Sequence, residues 1–339
     1  MHFLGIAPIG DPGRSFYPPR PIMSEIPSSA NLPPQPITRV QTTVAPLSAD
    51  ARQTLYETSN FTFHSRVAAD ATKALAQQAW VGVAEGDSWF DYLPAFLEDP
   101  LKGDLLAQLH HTGKFNIYNL GKAGDTLENM AYGTDVGHNA EPLPCQLIQT
   151  VAKVKQENPD FFLLSAGGND LSGDNGVDLE FFLNHATSGL DTLRLDRAKE
   201  TFSTFNRKAV ETIILAIRAA QPKIEIFMHG YDYAMPDGRA VFQAPLGYHF
   251  VGPWLLPAFA RQRTWPDKKR YDTIVTLIDM HNAMIADLAK QYPYFHHIDC
   301  RGVLERNTKD WANELHPTVA GFGKIAKKFT DVILSVLEP

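Results

Sequence analysis

From residue 79 onward, short apolar runs alternate with longer stretches whose apolar positions recur every three or four residues. The runs fall at 80–85, 115–119, 161–166, 224–229 and 294–298. Their length and the turn residues that bound them predict buried strands. Between the third and fourth runs, Leu195, Ala198, Phe202, Phe205, Ala209, Ile213, Ala216 and Ala220 share one helical face. Ile274, Leu277, Ile278, Met284, Ile285 and Leu288 make a second such face. Phe322, Ile325, Ala326, Phe329, Val332, Ile333 and Val336 make a third. Pro144 to Glu157 predicts a further helix, with the proline suited to its first turn. Strands alternating with helices in this way imply a parallel sheet covered on both faces.

The first 78 residues break this pattern. Ten of the 24 prolines lie between Pro8 and Pro46. Such a segment cannot continue a helix or a central strand, so residues 1–47 predict an irregular or disordered arm. Within it, Pro33-Pro34-Gln35-Pro36 is a candidate ligand for a proline-reading module. Residues 48–78 predict a helical lead-in, and residues 79–339 a single large domain. Two stretches inside that domain are long for connections. One spans 171–194 and offers Leu179, Phe181, Phe182 and Leu183 for packing. The other spans 231–265 and carries Tyr231, Tyr233, Phe242, Tyr248, Phe250, Trp254, Phe259 and Trp265. So many aromatics argue for a packed insertion, either a plain wall or a lid over an apolar pocket.

Composition narrows the function classes. The chain has 339 residues, 44% hydrophobic and 20% charged, as folded globular proteins do. A net charge of −7 with no basic stripe argues against a nucleic-acid partner. No apolar stretch reaches the roughly 18 residues of a spanning helix. Cys145 and Cys300 are too few for a disulfide framework. The first residues lack a basic region and are broken by Pro8 and Gly10, so they do not read as a secretory signal. A reducing, cytoplasmic compartment is the expectation. His110-His111 and His296-His297 lack the paired spacings of a zinc site, so no metal and no cofactor is expected.

The chemistry gathers at strand ends. Gly86-Asp87-Ser88 follows the first run. Asn119 to Thr126, with Gly121 and Gly124, follows the second, and Gly167-Gly168-Asn169-Asp170 the third. Asn313-Glu314-Leu315-His316-Pro317 precedes the last helical face. Each piece alone is also ordinary turn chemistry. Together they supply an acyl-transfer set: a serine, a histidine to act as its base, and donors for an oxyanion. A glycine lets the backbone approach closely, and an asparagine adds a side-chain N–H.

These four blocks, in this order from about Ala79 to the C-terminus, resemble the SGNH, or GDSL, hydrolase family. The resemblance implies a three-layer α/β/α sandwich and hydrolysis of esters or thioesters. It implies Ser88 as nucleophile and His316 as general base. It implies an oxyanion hole made of the Ser88 and Gly124 backbone N–H groups and the Asn169 side chain. A five-stranded, doubly wound sheet of flavodoxin-like order 2-1-3-4-5 would bring these positions to one crevice at its switch point. One position departs from the family. Where an aspartate usually stands three residues before the histidine, this chain has Asn313. Three partners for the imidazole are then open: Asn313 itself, a nearby acid (Asp310, Glu314 or Asp299), or a backbone carbonyl. Asn313 or a carbonyl is favoured, because no acid occupies the family's position.

The expected activity is that of a serine hydrolase on a small-molecule, lipid or glycan ester. The alternatives are a weak or inactive scaffold acting as a binding protein, and an acyltransferase using the same serine.

Overall fold

In the computed structural model, the described residues are 79–338 apart from 93–94, 96–97, 100–101, 135–144, 174–176, 244–248 and 251. The side chains of residues 177, 242–243 and 249–250 are also outside the description. The expected arm at 1–47 and lead-in at 48–78 lie outside the described residues, as do Pro144 and Tyr248. All described residues belong to one compact unit.

Five parallel strands make the sheet: β1 (Trp80–Gly86), β2 (Phe115–Asn119), β3 (Phe161–Ser165), β4 (Glu225–His229) and β7 (Phe295–Ile298). Their order is β2-β1-β3-β4-β7, which is the order 2-1-3-4-5 expected for the five sheet strands. A short antiparallel pair, β5 (Phe242–Gln243) and β6 (His249–Phe250), stands apart inside the 231–265 insertion. In register, Ala84 pairs with Asn119 on one side and Leu163 on the other, and Gly86 pairs with Ser165. β3 is buried along its whole length, as a central strand covered on both faces must be.

Helices cover the sheet. α1 (Leu105–His111) packs against the last helix, α10 (Val319–Leu337). α2 (Leu127–Tyr132), α3 (Gln146–Glu157), α7 (Arg207–Ala220) and α9 (Asp267–Gln291) form a second packed set. The result is an α/β/α sandwich. Two shorter helices, α4 (Gly168–Ser172) and α5 (Val177–Glu180), follow β3, and α8 (Leu256–Arg261) lies in the insertion. The last helical face is buried through Phe322, Ile325, Phe329 and Ile333.

One expected helix differs. The face running from Leu195 to Ala220 is broken by a π turn, Thr201–Asn206, between α6 (Leu195–Glu200) and α7. A π turn holds an extra residue relative to the α period. The phase therefore slips: Asn206 is buried where the α pattern places Phe205, and Phe205 is 64% exposed. Leu195, at the start of the same face, is also exposed.

Candidate active site

The turn after β1 is held from both neighbouring strands. Asp87 N donates to Ser165 O (3.0 Å), Leu120 N to Ala84 O (2.8 Å) and Lys122 N to Gly86 O (2.7 Å). Gly86 sits so close to its neighbours that a Cβ would meet Phe90 Cδ2 and Ser165 Cβ, each at 2.8 Å. Only glycine allows this turn to lie against β3. Asn119 spans the next gap, donating from Nδ2 to Phe90 O and accepting Gly121 N–H on Oδ1, both at 2.8 Å. Ser88 therefore emerges at the C-terminal edge of the sheet on a frame of backbone bonds.

Beneath Ser88, Asp87 is buried and accepts three hydrogen bonds. Oδ1 takes Trp89 N–H (3.0 Å) and Ser165 Oγ–H (2.8 Å), and Oδ2 takes the Tyr231 hydroxyl. The network closes on itself. Ser165 Oγ accepts from His229 Nε2 (2.8 Å), and His229 Nδ1 accepts Tyr231 N–H (3.2 Å). The Tyr231 oxygen accepts Gly168 N–H (3.2 Å). This assignment needs a neutral His229, in accord with burial pushing its imidazole down to about 3. Burial also pushes Asp87 up to about 6, against the pull of its donors. Tyr231 holds this position with φ +64, a left-handed conformation uncommon outside glycine.

The histidine arrives from the other end of the chain. After β7 the loop runs through Trp311 and Asn313 to Pro317, and Thr318 caps α10 by accepting Gly321 N–H (3.1 Å). Trp89 Nε1 donates to Leu315 O (3.1 Å), tying the serine's turn to this loop. His316 Nε2 lies 2.7 Å from Ser88 Oγ. His316 Nδ1 lies 3.0 Å from Asn313 Oδ1. Asn313 Oδ1 also accepts Leu315 N–H (3.0 Å) and His316 N–H (2.9 Å), while Nδ2 donates to the Tyr92 hydroxyl (2.8 Å). Three donors converge on one end of the amide and one acceptor on the other, so the amide can face only one way. With Oδ1 accepting, Nδ1 carries the imidazole proton and Nε2 is left to accept from Ser88. Burial alone pushes His316 down to about 3, so the ring is neutral.

The three acids weighed as partners are engaged elsewhere. Asp310 accepts Glu305 N–H and the Lys324 ammonium, both at 2.7 Å. Asp299 pairs with Arg301. Glu314 is fully buried and accepts the backbone N–H groups of Gly238, Trp254, Leu255 and Leu256. It thereby fastens the 231–265 insertion to the histidine loop. An acid beside the histidine in sequence thus reads as a base-orienting candidate, yet its side chain serves the loop opposite.

Gly124 and Asn169 approach from the second and third strands. Gly124 has φ +84, a conformation that suits glycine. Asn169 Nδ2 donates to Asp125 O (2.8 Å), which docks the β3 loop against the β2 loop. Asp170 accepts Leu127 N–H (2.7 Å) and Glu128 N–H (3.1 Å), so its carboxylate sits at the N-terminus of α2. That is favourable placement for a negative charge.

Beside Ser88 and Asn169 opens a pocket with about 600 Å³ of empty space, its mouth included. Its wall is apolar. Leu171 and Leu179 come from the 171–194 insertion, Ala234 and Leu255 from the 231–265 insertion, and Ile274 and Leu277 from α9. Two aromatic rings stand beside the histidine; Trp254 is one of the aromatics expected in the 231–265 insertion, and Tyr92 escaped the sequence reading. The Tyr92 ring stacks on His316 at 4.2 Å and 9°, and the Trp254 ring meets it at 5.3 Å and 71°. Tyr92 belongs to no recurring pattern and is 224 positions away in sequence, so nothing local announces its contact with His316.

A strand-end serine thus lies 2.7 Å from a histidine on a doubly wound α/β/α sandwich. Residues 75–323 match the model of the GDSL-like Lipase/Acylhydrolase family, and the chain belongs to that family. No curated protein matches the chain. Among solved structures it is similar to an extracellular lipase from Streptomyces rimosus, at 17% identity and TM-score 0.44, covering 75% of this chain and 99% of that one. It is similar to a family 3 carbohydrate esterase from Clostridium thermocellum, at 15% identity and TM-score 0.42, covering 77% and 99%. It is also similar to the periplasmic domain of a lipopolysaccharide acetyltransferase from Salmonella ser. Paratyphi A, at 11% identity and TM-score 0.46, covering 83% and 97%. Among the described residues no helix is long and apolar enough to cross a membrane.

Proposed function

We propose that the protein is a carboxylic ester hydrolase in which Ser88 is the nucleophile and His316 the general base. The observation that carries this reading is the 2.7 Å approach of His316 Nε2 to Ser88 Oγ, with Nδ1 held on Asn313. Ser88 gives its proton to Nε2 as Oγ adds to the ester carbonyl carbon. The carbonyl oxygen becomes an oxyanion. It is received by the Ser88 and Gly124 backbone N–H groups and by the second N–H of Asn169. Collapse expels the alcohol, which takes the proton from Nε2 and leaves an acyl-serine. Water then repeats the sequence, losing its proton to the same nitrogen. The apolar pocket takes the acyl chain, and the two insertions supply much of its wall.

A second reading is supported by one observation. Asn313 brings no charge to a histidine already pushed down to about 3, as a weakly active scaffold that binds esters would tolerate. Labelling with an active-site-directed fluorophosphonate, followed by peptide mapping, separates the two. Modification at Ser88 together with turnover of p-nitrophenyl butyrate is expected. Binding of the ester without labelling or turnover would instead favour the scaffold.

A further inference from the structure

Proton transfer to His316 creates an imidazolium inside the protein, and burial opposes it. In a triad the buried carboxylate stabilises that cation. Here the group on Nδ1 is a neutral amide. Among the described residues, the acid closest to His316 in sequence does not take the carboxylate's place. Glu314, two residues away, spends its carboxylate on four backbone N–H groups. Burial and the nearby Glu98 both push the Tyr92 hydroxyl up. What does face the imidazole is Tyr92, stacked almost parallel at 4.2 Å between ring centroids. The same residue's hydroxyl accepts from Asn313 Nδ2. The face of a phenol ring carries the negative part of its quadrupole. A cation over that face is attracted, and more strongly where water is excluded. Tyr92 is 5% exposed and His316 4%, so the pair is well desolvated.

We infer that Tyr92 is a positioning residue that acts through His316, its ring face giving the imidazolium the stabilisation that a carboxylate at position 313 would otherwise supply. This rests on Ser88 and His316 acting as proposed above. The ring contributes once the proton has moved to Nε2. It therefore favours the transition state over the bound ester and bears on kcat more than on KM. The hydroxyl contributes differently, by giving the Asn313 amide its fourth partner. The two contributions are separable by substitution, because phenylalanine keeps the face and loses the oxygen, while leucine loses both.

The test compares Tyr92→Phe with Tyr92→Leu, each with Asn313 and with Asn313→Asp, on folded protein hydrolysing p-nitrophenyl butyrate. With Asn313, Tyr92→Leu is expected to lower kcat about tenfold below Tyr92→Phe at nearly constant KM, the size of one desolvated cation–π contact. With Asn313→Asp the gap should shrink to about threefold or less, because the carboxylate already neutralises the imidazolium. Equal kcat for the two Tyr92 variants, or the same gap in both backgrounds, would reduce Tyr92 to a packing residue. A second measurement does not need turnover. In Ser88→Ala protein, the His316 ring is followed by NMR as pH falls. The Tyr92→Phe form should begin to charge at a higher pH than the Tyr92→Leu form, and coincident titrations overturn the inference. If the native protein neither labels at Ser88 nor turns over ester, the proposed function falls, and the NMR comparison still decides the role of the ring.

Discussion

The turn that carries Ser88 and the loop that carries His316 are each organised around one buried side chain that receives three donors. They differ in charge. Asp87 Oδ1 and Oδ2 receive Trp89 N–H, Ser165 Oγ–H and the Tyr231 hydroxyl around a carboxylate. Asn313 Oδ1 receives Leu315 N–H, His316 N–H and His316 Nδ1 around an amide. The chain thus places its acid behind the serine, where it builds the turn, and leaves the histidine with a neutral partner. An amide can aim an imidazole as well as a carboxylate can. It cannot add electrostatic stabilisation when the ring becomes charged. On the proposed mechanism, orientation and charge compensation are divided between Asn313 and the aromatic ring of Tyr92.

The largest expected effect tests the frame that both regions serve. Ser88→Ala should lower kcat by at least about 10⁴-fold, as loss of a nucleophile does elsewhere, with thermal unfolding unchanged. Near-native turnover by the folded variant would remove Ser88 from the mechanism. Next comes Asn169→Ala, expected to cost about 10²–10³-fold in kcat with a smaller change in KM, the usual loss of one oxyanion donor. A raised KM at constant kcat would make Asn169 a substrate-binding residue instead.

The Asp87 side of the comparison is sharpened by stability. Asp87→Asn should cost about 1–3 kcal/mol, because an N–H replaces an acceptor that buried donors require. Its pH signature follows from a folded-state value of about 6 against an ordinary 3.8. The folded protein holds this proton more tightly than the unfolded chain. The stability contributed is therefore complete below about 3.8 and lost as pH rises through about 6. Measured from pH 4 to 7, the native protein's advantage over Asp87→Asn should decline with rising pH. A flat difference would show that Asp87 does not titrate in this range.

The Asn313 side gives the smallest and most discriminating effect. Asn313→Asp should preserve kcat or raise it a few-fold. The Tyr92 hydroxyl can turn from accepting to donating, so the new oxygen keeps its partner. On the proposed mechanism activity needs neutral His316, whose imidazole burial pushes down to about 3. A carboxylate on Nδ1 favours the charged ring, so the acid limb of kcat/KM should move to higher pH in the variant. Asn313→Ala should lose about tenfold, the scale of one hydrogen bond. Unchanged activity in Asn313→Ala would return the orienting role to another group.

Much of this was readable from residue order alone. The five strands and the helices built on the 274–288 and 322–336 faces are consequences of local periodicity, and the parallel pairing of the strands follows from the rule that parallel strands need helical crossovers, whereas the sheet order was expected from the family resemblance. Both causes act over short stretches of chain. Ser88, Gly124 and Asn169 follow strand ends and His316 precedes a helix, but their selection as candidates rests on the resemblance of the four blocks to a known family and not on periodicity. The misplacement of Phe205 has a different cause. A single π turn shifts a helical face by one residue, and the packing of that face, not its spacing, decides whether the turn forms.

What only the tertiary structure decided is which groups meet across long separations. The sequence offered Asn313, three acids or a carbonyl to His316. The fold places Asn313 there because Leu315 N–H and His316 N–H, both in the same tight loop, pull its oxygen inward, while Glu314 is drawn away by the backbone of the insertion. Tyr92 against His316, Tyr231 against Asp87 and the apolar wall beside Ser88 are likewise contacts between distant segments. Periodicity records how each segment folds on itself. It carries no record of which buried polar atom finds which partner, because that is settled only when all the segments compete for the same enclosed space.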